Sequence, residues 1–331
     1  MITESDLDPT LDLRVAIDRL RQQKKAVILA HYYQDGLLQD LADSIGDSLD
    51  LSRRAAETQA DIIVFCGVRF MGEVAKILSP DRLVLVPDLA AGCSLEEACQ
   101  PEYFKRFRDK HPDHLAVTYI NCSVEVKALS DIIVTSSNAE AIINQIPADQ
   151  PILFAPDHHL GSFIKHRTGR ADMVLWPGAC IIHEQFSEQE LKKLKNLHPD
   201  ARIAAHPECP EGILLHADYI GSTRGLLQYV TESPDRTFII ATEPHIIHQM
   251  KKAAPGKTFI PAPGADGSCN CATCPHMARN TLAKLYLCLL NESPCIEIPE
   301  EVRKQAMKPL QRMLDMSHGI GSSARPRHAA A

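Results

Sequence analysis

The chain has 331 residues, 45% hydrophobic and 23% charged, an ordinary balance for a soluble globular protein and enough length for two or three domains. A net charge of −7 and a pI of 6.1 disfavour bulk nucleic-acid binding. The polar start MITESDLDPT is unlike a signal peptide, and no apolar run reaches the ~18 residues of a membrane-spanning helix. Eleven cysteines, an odd number without a secretion signal, argue against a disulfide framework and for thiol or metal chemistry in a reducing, cytoplasmic compartment.

In chain order, residues 26–30 (AVILA) read as a buried strand ending at His31. The segment ADSIGDSLDLSRRA from Ala42 passes from strand to helix, with Leu49, Ser52, Arg53 and Ala56 at helical spacing. A strand follows at 62–65. Next comes a short apolar run stopped by Pro87, then a loop carrying Gly92-Cys93-Ser94. The same order recurs. Strand 115–120 ends at Asn121, SDIIVTSSNAEAII begins at Ser130, strand 152–155 follows, and Met173-Val174-Leu175-Trp176-Pro177 leads to Cys180. A third time, strand 201–205 ends at His206, ADYIGSTRGLLQYV begins at Ala217, strand 238–241 follows, and Thr258-Phe259-Ile260-Pro261 leads to Cys274.

Equivalent points, such as Asp43, Asp131 and Asp218, lie about 84–94 residues apart, so one unit is written three times. The units run over 20–101, 102–190 and 191–275, with C-terminal helices at 277–314 joined to the first; the tail 317–331 lacks apolar periodicity and reads as disordered. Apolar strands alternating with helices predict an α/β fold: three similar αβα units with short parallel sheets about a pseudo-threefold axis. Right-handed crossovers put every strand's C-terminal end on one edge, where such sheets bind ligands. His31, Asn121, His206 and the three cysteines belong on that edge.

Cys66, Cys122, Cys288 and Cys295 sit in apolar runs and read as small hydrophobes. Cys93, Cys180 and Cys274 sit in loops of glycine, proline and polar residues. Three converging thiolates there suit a metal or cluster with a fourth, non-protein ligand. Cys269-Asn270-Cys271-Ala272-Thr273-Cys274 adds a CxCxxC pattern open to zinc, redox or coincidental readings. Five residues beyond the aligned aspartates stand Ser48, Ser136 and Thr223, each at a strand-to-helix passage. Such hydroxyls serve as N-caps, or beside helix N-termini they hold a carboxylate or phosphate. The strand ends also carry acid–base groups: His31-Tyr32-Tyr33-Gln34, Tyr119-Ile120-Asn121 and His206-Pro207-Glu208. His183-Glu184 and His158-His159 form further clusters.

The segments AHYYQD, IGDSLDLSR, AGCSLEEAC, YINCSVEVKALSD, TSSNA, WPGACIIHEQF, HPEC, GSTRGLL and CPHMARNTL, in this order from about residue 20 to 315, resemble those of the quinolinate synthase family. The resemblance implies three α/β domains about a pseudo-threefold axis and one [4Fe-4S] cluster held by the residues matching Cys93, Cys180 and Cys274, with its fourth iron open as a Lewis acid. It implies condensation of iminoaspartate with dihydroxyacetone phosphate to quinolinate, releasing phosphate and two waters. It places the substrate at His31, Tyr33, Ser48, Tyr119, Asn121, Ser136, His206, Glu208 and Thr223. Of these, Tyr33, His206 and Glu208 are candidates for proton transfer, while Asn121 and Tyr119 would orient the intermediate. Transient contact with an L-aspartate-oxidising enzyme and with iron–sulfur assembly proteins would fit such a reaction. Two departures stand out: Ser268 occupies the first position of a CxxCxxC seen in some members, leaving Cys271 and Cys274 as a potential disulfide, and Ala278-Arg279 replaces a common lysine and methionine. The rival readings are a zinc hydro-lyase with a three-cysteine site and a redox sensor using Cys269, Cys271 and Cys274. The second lacks any basic patch or DNA-reading helix to support it.

Overall fold

The computed structural model describes residues 3–265 and 272–318. Among them, twelve strands form three sheets, each four-stranded and wholly parallel. The first holds β1 (Ala26–His31), β2 (Ser44–Gly46), β3 (Ile62–Cys66) and β4 (Leu83–Leu85) in the spatial order β2-β1-β3-β4. The second repeats that order with β5 (Leu115–Tyr119), β6 (Ile132–Val134), β7 (Ile152–Ala155) and β8 (Val174–Leu175). The third repeats it again with β9 (Arg202–Ala205), β10 (Tyr219–Ile220), β11 (Thr237–Ala241) and β12 (Thr258–Pro261). The expected fold class, three similar αβα units with parallel sheets, is the one observed.

Central strands such as β3 and β7 are buried along their whole length, because helices cover both faces of each sheet; this is why they read as unbroken apolar runs. In each sheet the first strand lies between the second and third. The winding direction reverses there, and the crevice beyond the strand ends is where ligands bind in such sheets.

The aspartates that align the three repeats prove to be backbone staples. Asp43 accepts the Ile28 N–H, Asp131 the Ala116 N–H and Asp218 the Ile203 N–H, each at 2.8 Å, and the N–H of each aspartate returns a bond to the same residue's carbonyl. Each also pairs with an arginine: Arg21, Arg108 and Arg202. One carboxylate thus ties the start of the second segment of each unit to its first strand.

The first two sheets share one apolar core. Leu29, Ile63 and Phe65 join Val117, Ile133 and Phe154, and the helix Glu300–Met316 adds Ala306, Leu310 and Met313. The helix Leu282–Asn291 instead packs on Leu13–Gln23 before the first sheet. The third sheet has its own clusters, one around Ile203 and Ile239 and one around Phe238 and Ile240. Cys66 and Cys288 are buried in apolar packing with Cys295 against them, and Cys122 is likewise buried. Ser317, expected to open the disordered tail, is instead held in place. It is 1% exposed, its hydroxyl donates to the Met313 carbonyl at 2.6 Å and accepts from Asn138 Nδ2 at 2.9 Å, and its carbonyl accepts from Arg53. The rest of that predicted tail, from 319, lies outside the described residues, as do Cys269 and Cys271.

Candidate active site

The strand order puts the chemically active residues at one edge. His31 is the last residue of β1 and Tyr119 the last of β5, while His206 follows β9 directly. These three line a single cavity with Tyr33, Asn121 and Glu208; Ser48, Ser136 and Thr223; and Cys93, Cys180 and Cys274. The substrate residues and the three repeat cysteines singled out from the sequence therefore lie in one place.

The three cysteines are built alike. The backbone N–H groups of the residues two and three positions on favour the charged form of each thiol: Leu95 and Glu96 at Cys93, Ile182 and His183 at Cys180, His276 and Met277 at Cys274. A short helical turn follows each cysteine, Ser94–Ala98, His183–Gln185 and Met277–Arg279. Burial is the main force pushing all three thiols above their ordinary range. Neighbouring negative groups add to it: Cys274 at Cys93, Glu208 and Cys93 at Cys180, Glu243 at Cys274. With burial opposing the charged form, the three thiols lose their protons only where a cation takes up the charge. The backbone N–H groups beside each sulfur favour the thiolate over the thiol, as in metal and cluster sites. The donor set therefore fits a thiolate-bound metal centre. The loops also approach closely, since a Cβ on Gly92 would meet Glu97 Oε1 at 3.2 Å and His276 Nδ1 at 3.5 Å.

An acid–base network lies beside the cysteines. His31 Nδ1 accepts the Tyr33 N–H at 3.2 Å and His206 Nδ1 accepts the Glu208 N–H at 3.4 Å, the same local bond in two repeats. Burial holds both rings down at about 3, so each is neutral with its proton on Nε2. His206 Nε2–H then donates to Ser136 Oγ at 3.3 Å. Burial raises the Glu208 carboxyl, but its neighbours, the His183 ring first, outweigh it and hold the group charged, at about 2. His183 Nδ1 lies 2.9 Å from Glu208 Oε2, whereas His206 Nδ1 is 3.9 Å from Oε1. Burial and then the Glu208 charge push the Tyr33 and Tyr119 phenols well above the usual range, so both keep their protons.

The hydroxyl positions are not N-caps. Asp47 caps the helix Ser48–Glu57 and Ser222 caps Thr223–Glu232, leaving Ser48 and Thr223 as the first helical residues at the cavity wall. Ser136 stands upstream of Asn138, whose side chain accepts the Thr135 N–H at 2.6 Å. The caps do additional work at the axis, because Ser137 Oγ bonds Asp47 and lies 2.8 Å from Ser222 Oγ, tying one loop from each unit together. Asn121 Oδ1 and Thr135 Oγ1 are buried without a hydrogen-bond partner among the described residues, leaving acceptor and donor capacity facing the cavity.

Sequence reasoning missed four participants. His183, noted only as a neighbour of Glu184, pairs with Glu208, while Glu184 turns away to His159. Thr242 bonds Tyr33 Oη at 2.6 Å and His183 Nε2 at 3.0 Å. Asp47 and Ser137 complete the junction. Only His183 carried a signal, its place three residues after Cys180; the others touch the site through contacts between units.

Three parallel-sheet units closing on a cavity of cysteines, histidines, tyrosines and a charged glutamate define an α/β enzyme acting on small molecules. Residues 15–315 match the model of the family described as quinolinate synthetase A protein. The quinolinate synthase of Microcystis aeruginosa is 60% identical over 92% of this chain and 95% of its own length. That of Synechococcus sp. is 59% identical over 94% and 97%. That of Thermosynechococcus vestitus is 58% identical over 93% and 96%. The chain belongs to the quinolinate synthase family, enzymes of NAD biosynthesis. Among the described residues no helix is long and apolar enough to cross a membrane.

Proposed function

We propose that the chain condenses iminoaspartate with dihydroxyacetone phosphate to quinolinate, releasing phosphate and two waters, with a [4Fe-4S] cluster held by Cys93, Cys180 and Cys274. The observation that carries this reading is the threefold cysteine arrangement, one cysteine from each repeat, opening on a cavity lined by neutral histidines and a charged glutamate. When bound, the cluster supplies Lewis acidity at an iron without a protein ligand, which polarises a hydroxyl as a leaving group.

The chain's own residues supply the rest. The helices Ser48–Glu57 and Thr223–Glu232 begin at the cavity wall, where their first N–H groups and the hydroxyls of Ser48, Thr223 and Ser136 hold carboxylates and phosphate. His31 donates through Nε2 to a substrate oxygen, and His206 does the same once the substrate displaces its bond to Ser136 Oγ. Glu208 accepts the protons removed in enolisation and dehydration, and Tyr119, which keeps its proton beside the Glu208 charge, passes one back to a leaving oxygen. Tyr33, fixed by Thr242, donates from the opposite repeat. Asn121 orients the intermediate through its unpartnered Oδ1. A cytoplasmic enzyme receiving its imine from an aspartate-oxidising partner, and its cluster from assembly proteins, fits these demands.

The deciding measurement is iron, acid-labile sulfide and zinc per chain on protein purified without oxygen, followed by assay of quinolinate. About four irons and four sulfides support the cluster. Zinc also suits three thiolates, and Cys180, His183 and Glu208 place ligand atoms within 4.8 Å of one another. Stoichiometric zinc with little iron, unchanged by anaerobic reconstitution, would promote a zinc hydro-lyase instead. With the metal content intact, Glu208→Gln should lower kcat by about 10²–10⁴-fold; near-parental turnover would remove Glu208 from the proton transfers.

A further inference from the structure

A second cluster of ligating side chains lies outside the cavity, on the far side of the loop that carries Cys180. His158 and His159 open the helix His158–Thr168, and Glu184 reaches them from the turn after Cys180. Their ligand atoms all lie within 4.8 Å of one another. His158 Nδ1 is 2.9 Å from the Gly178 carbonyl. A carbonyl can only accept, so Nδ1 carries the proton and Nε2 keeps its lone pair. A backbone acceptor behind the ring is the usual support of a metal-binding histidine. His159 Nε2 meets Glu184 Oε1 directly. The two imidazoles lie close together and tilted, with centroids 3.8 Å apart and planes 37° apart. The side chains of His159 and Glu184 are 14% and 44% exposed, so an ion and its waters can reach them from solvent.

The surroundings are tied to the Cys180 loop by main-chain bonds. His158 N–H donates to Gly178 O at 2.8 Å and Glu184 N–H to Cys180 O at 3.0 Å, while Asp157 and Gly178 form an isolated parallel bridge. The histidines stand at one end of this loop and the glutamate at the other.

We propose that His158, His159 and Glu184 form a binding site for a borderline divalent transition-metal ion, with zinc as the type case, which clamps the Cys180 loop to the helix His158–Thr168 from outside. Two imidazoles and one carboxylate with open positions for water make a common zinc donor set, and the oxygen-only preference of magnesium or calcium is not met. The plainer reading is a His159–Glu184 hydrogen bond at a helix start, which predicts no metal uptake.

The test is zinc titration of the anaerobically purified chain, whatever its cysteines hold, with retained zinc counted after desalting and its neighbours read by X-ray absorption at the zinc edge. The expected result is about one zinc with nitrogen and oxygen neighbours only. Its affinity should fall at least tenfold in His159→Ala and in Glu184→Gln and be kept in Cys93→Ser. Sulfur among the neighbours, no uptake, or uptake equal in the His158→Ala/His159→Ala double variant would overturn the proposal. Sulfur neighbours would place the zinc at the cysteines; the other outcomes leave the cysteine site untouched, since its iron and sulfide are counted separately.

Discussion

The seam between the first two sheets and the seam where the third joins them are built from different chemistry. The first is a continuous apolar core crossed by Ala306, Leu310 and Met313 of the C-terminal helix. The second is largely polar. Tyr33 bonds Thr242 at 2.6 Å, Gln39 bonds the His245 carbonyl at 3.1 Å and Gln249 at 2.9 Å, Asp40 pairs with His248 and Lys252 at 2.8 Å, and Arg224 pairs with Asp50. Tyr32, packed in the third unit's cluster, is an apolar exception. Apolar burial is strong but indifferent to orientation, whereas hydrogen bonds fix angles and register. The seam that sets the cavity's geometry is the one made of directional contacts.

The largest effect should come from the apolar seam. Leu310 is fully buried, so Leu310→Ala should cost about 2–5 kcal/mol in urea unfolding. A loss near 0.5 kcal/mol would mean the C-terminal helix does not join the two units. That seam also contains a charge. Glu73 accepts the Val124 N–H at 3.1 Å, and burial, partly offset by Lys127, pushes its carboxyl up from 4.5 to about 7. An acid raised on folding binds more protons folded than unfolded, so the stability it contributes at low pH is lost as pH rises from about 4.5 to 7. Glu73→Gln should flatten that slope and stabilise the chain above pH 7 by up to about 3 kcal/mol. Parallel stability–pH curves for variant and parent would refute it.

The polar seam should respond in function more than in stability. Thr242→Val keeps the shape but removes the bonds to Tyr33 and His183. Unfolding should shift by about 1 kcal/mol while quinolinate formation falls at least tenfold. Equal effects on both would make Thr242 a merely structural residue. The smallest effect belongs to Asp40→Asn at the solvent-exposed end, about 0–1 kcal/mol and vanishing near 1 M salt. A larger, salt-independent loss would show that end to be tighter than its exposure implies.

Much of the architecture was legible because it is local. Strand runs, their polar ends and the threefold spacing of Asp43, Asp131 and Asp218 are each written within a few residues, and those aspartates recur because every unit needs the same staple. The site was legible as a set of strand-end residues, though not as a network. Ser48 and Thr223 read as helix caps or as anion-holding hydroxyls, and Asp47 and Ser222 take the cap one residue earlier. A hydroxyl at a helix start does not reveal which of two neighbours has the extended backbone of a cap.

What the sequence alone determined is the repeated unit, the parallel sheets and the edge on which the chemistry sits, since period and strand order follow from local pattern and chain handedness. What only the tertiary structure decided is pairing across units. Glu208 with His183, Tyr33 with Thr242, and Asp47 with Ser137 and Ser222 are each set by how three sheets close around one axis. Residues far apart in the chain leave no shared period for the sequence to display.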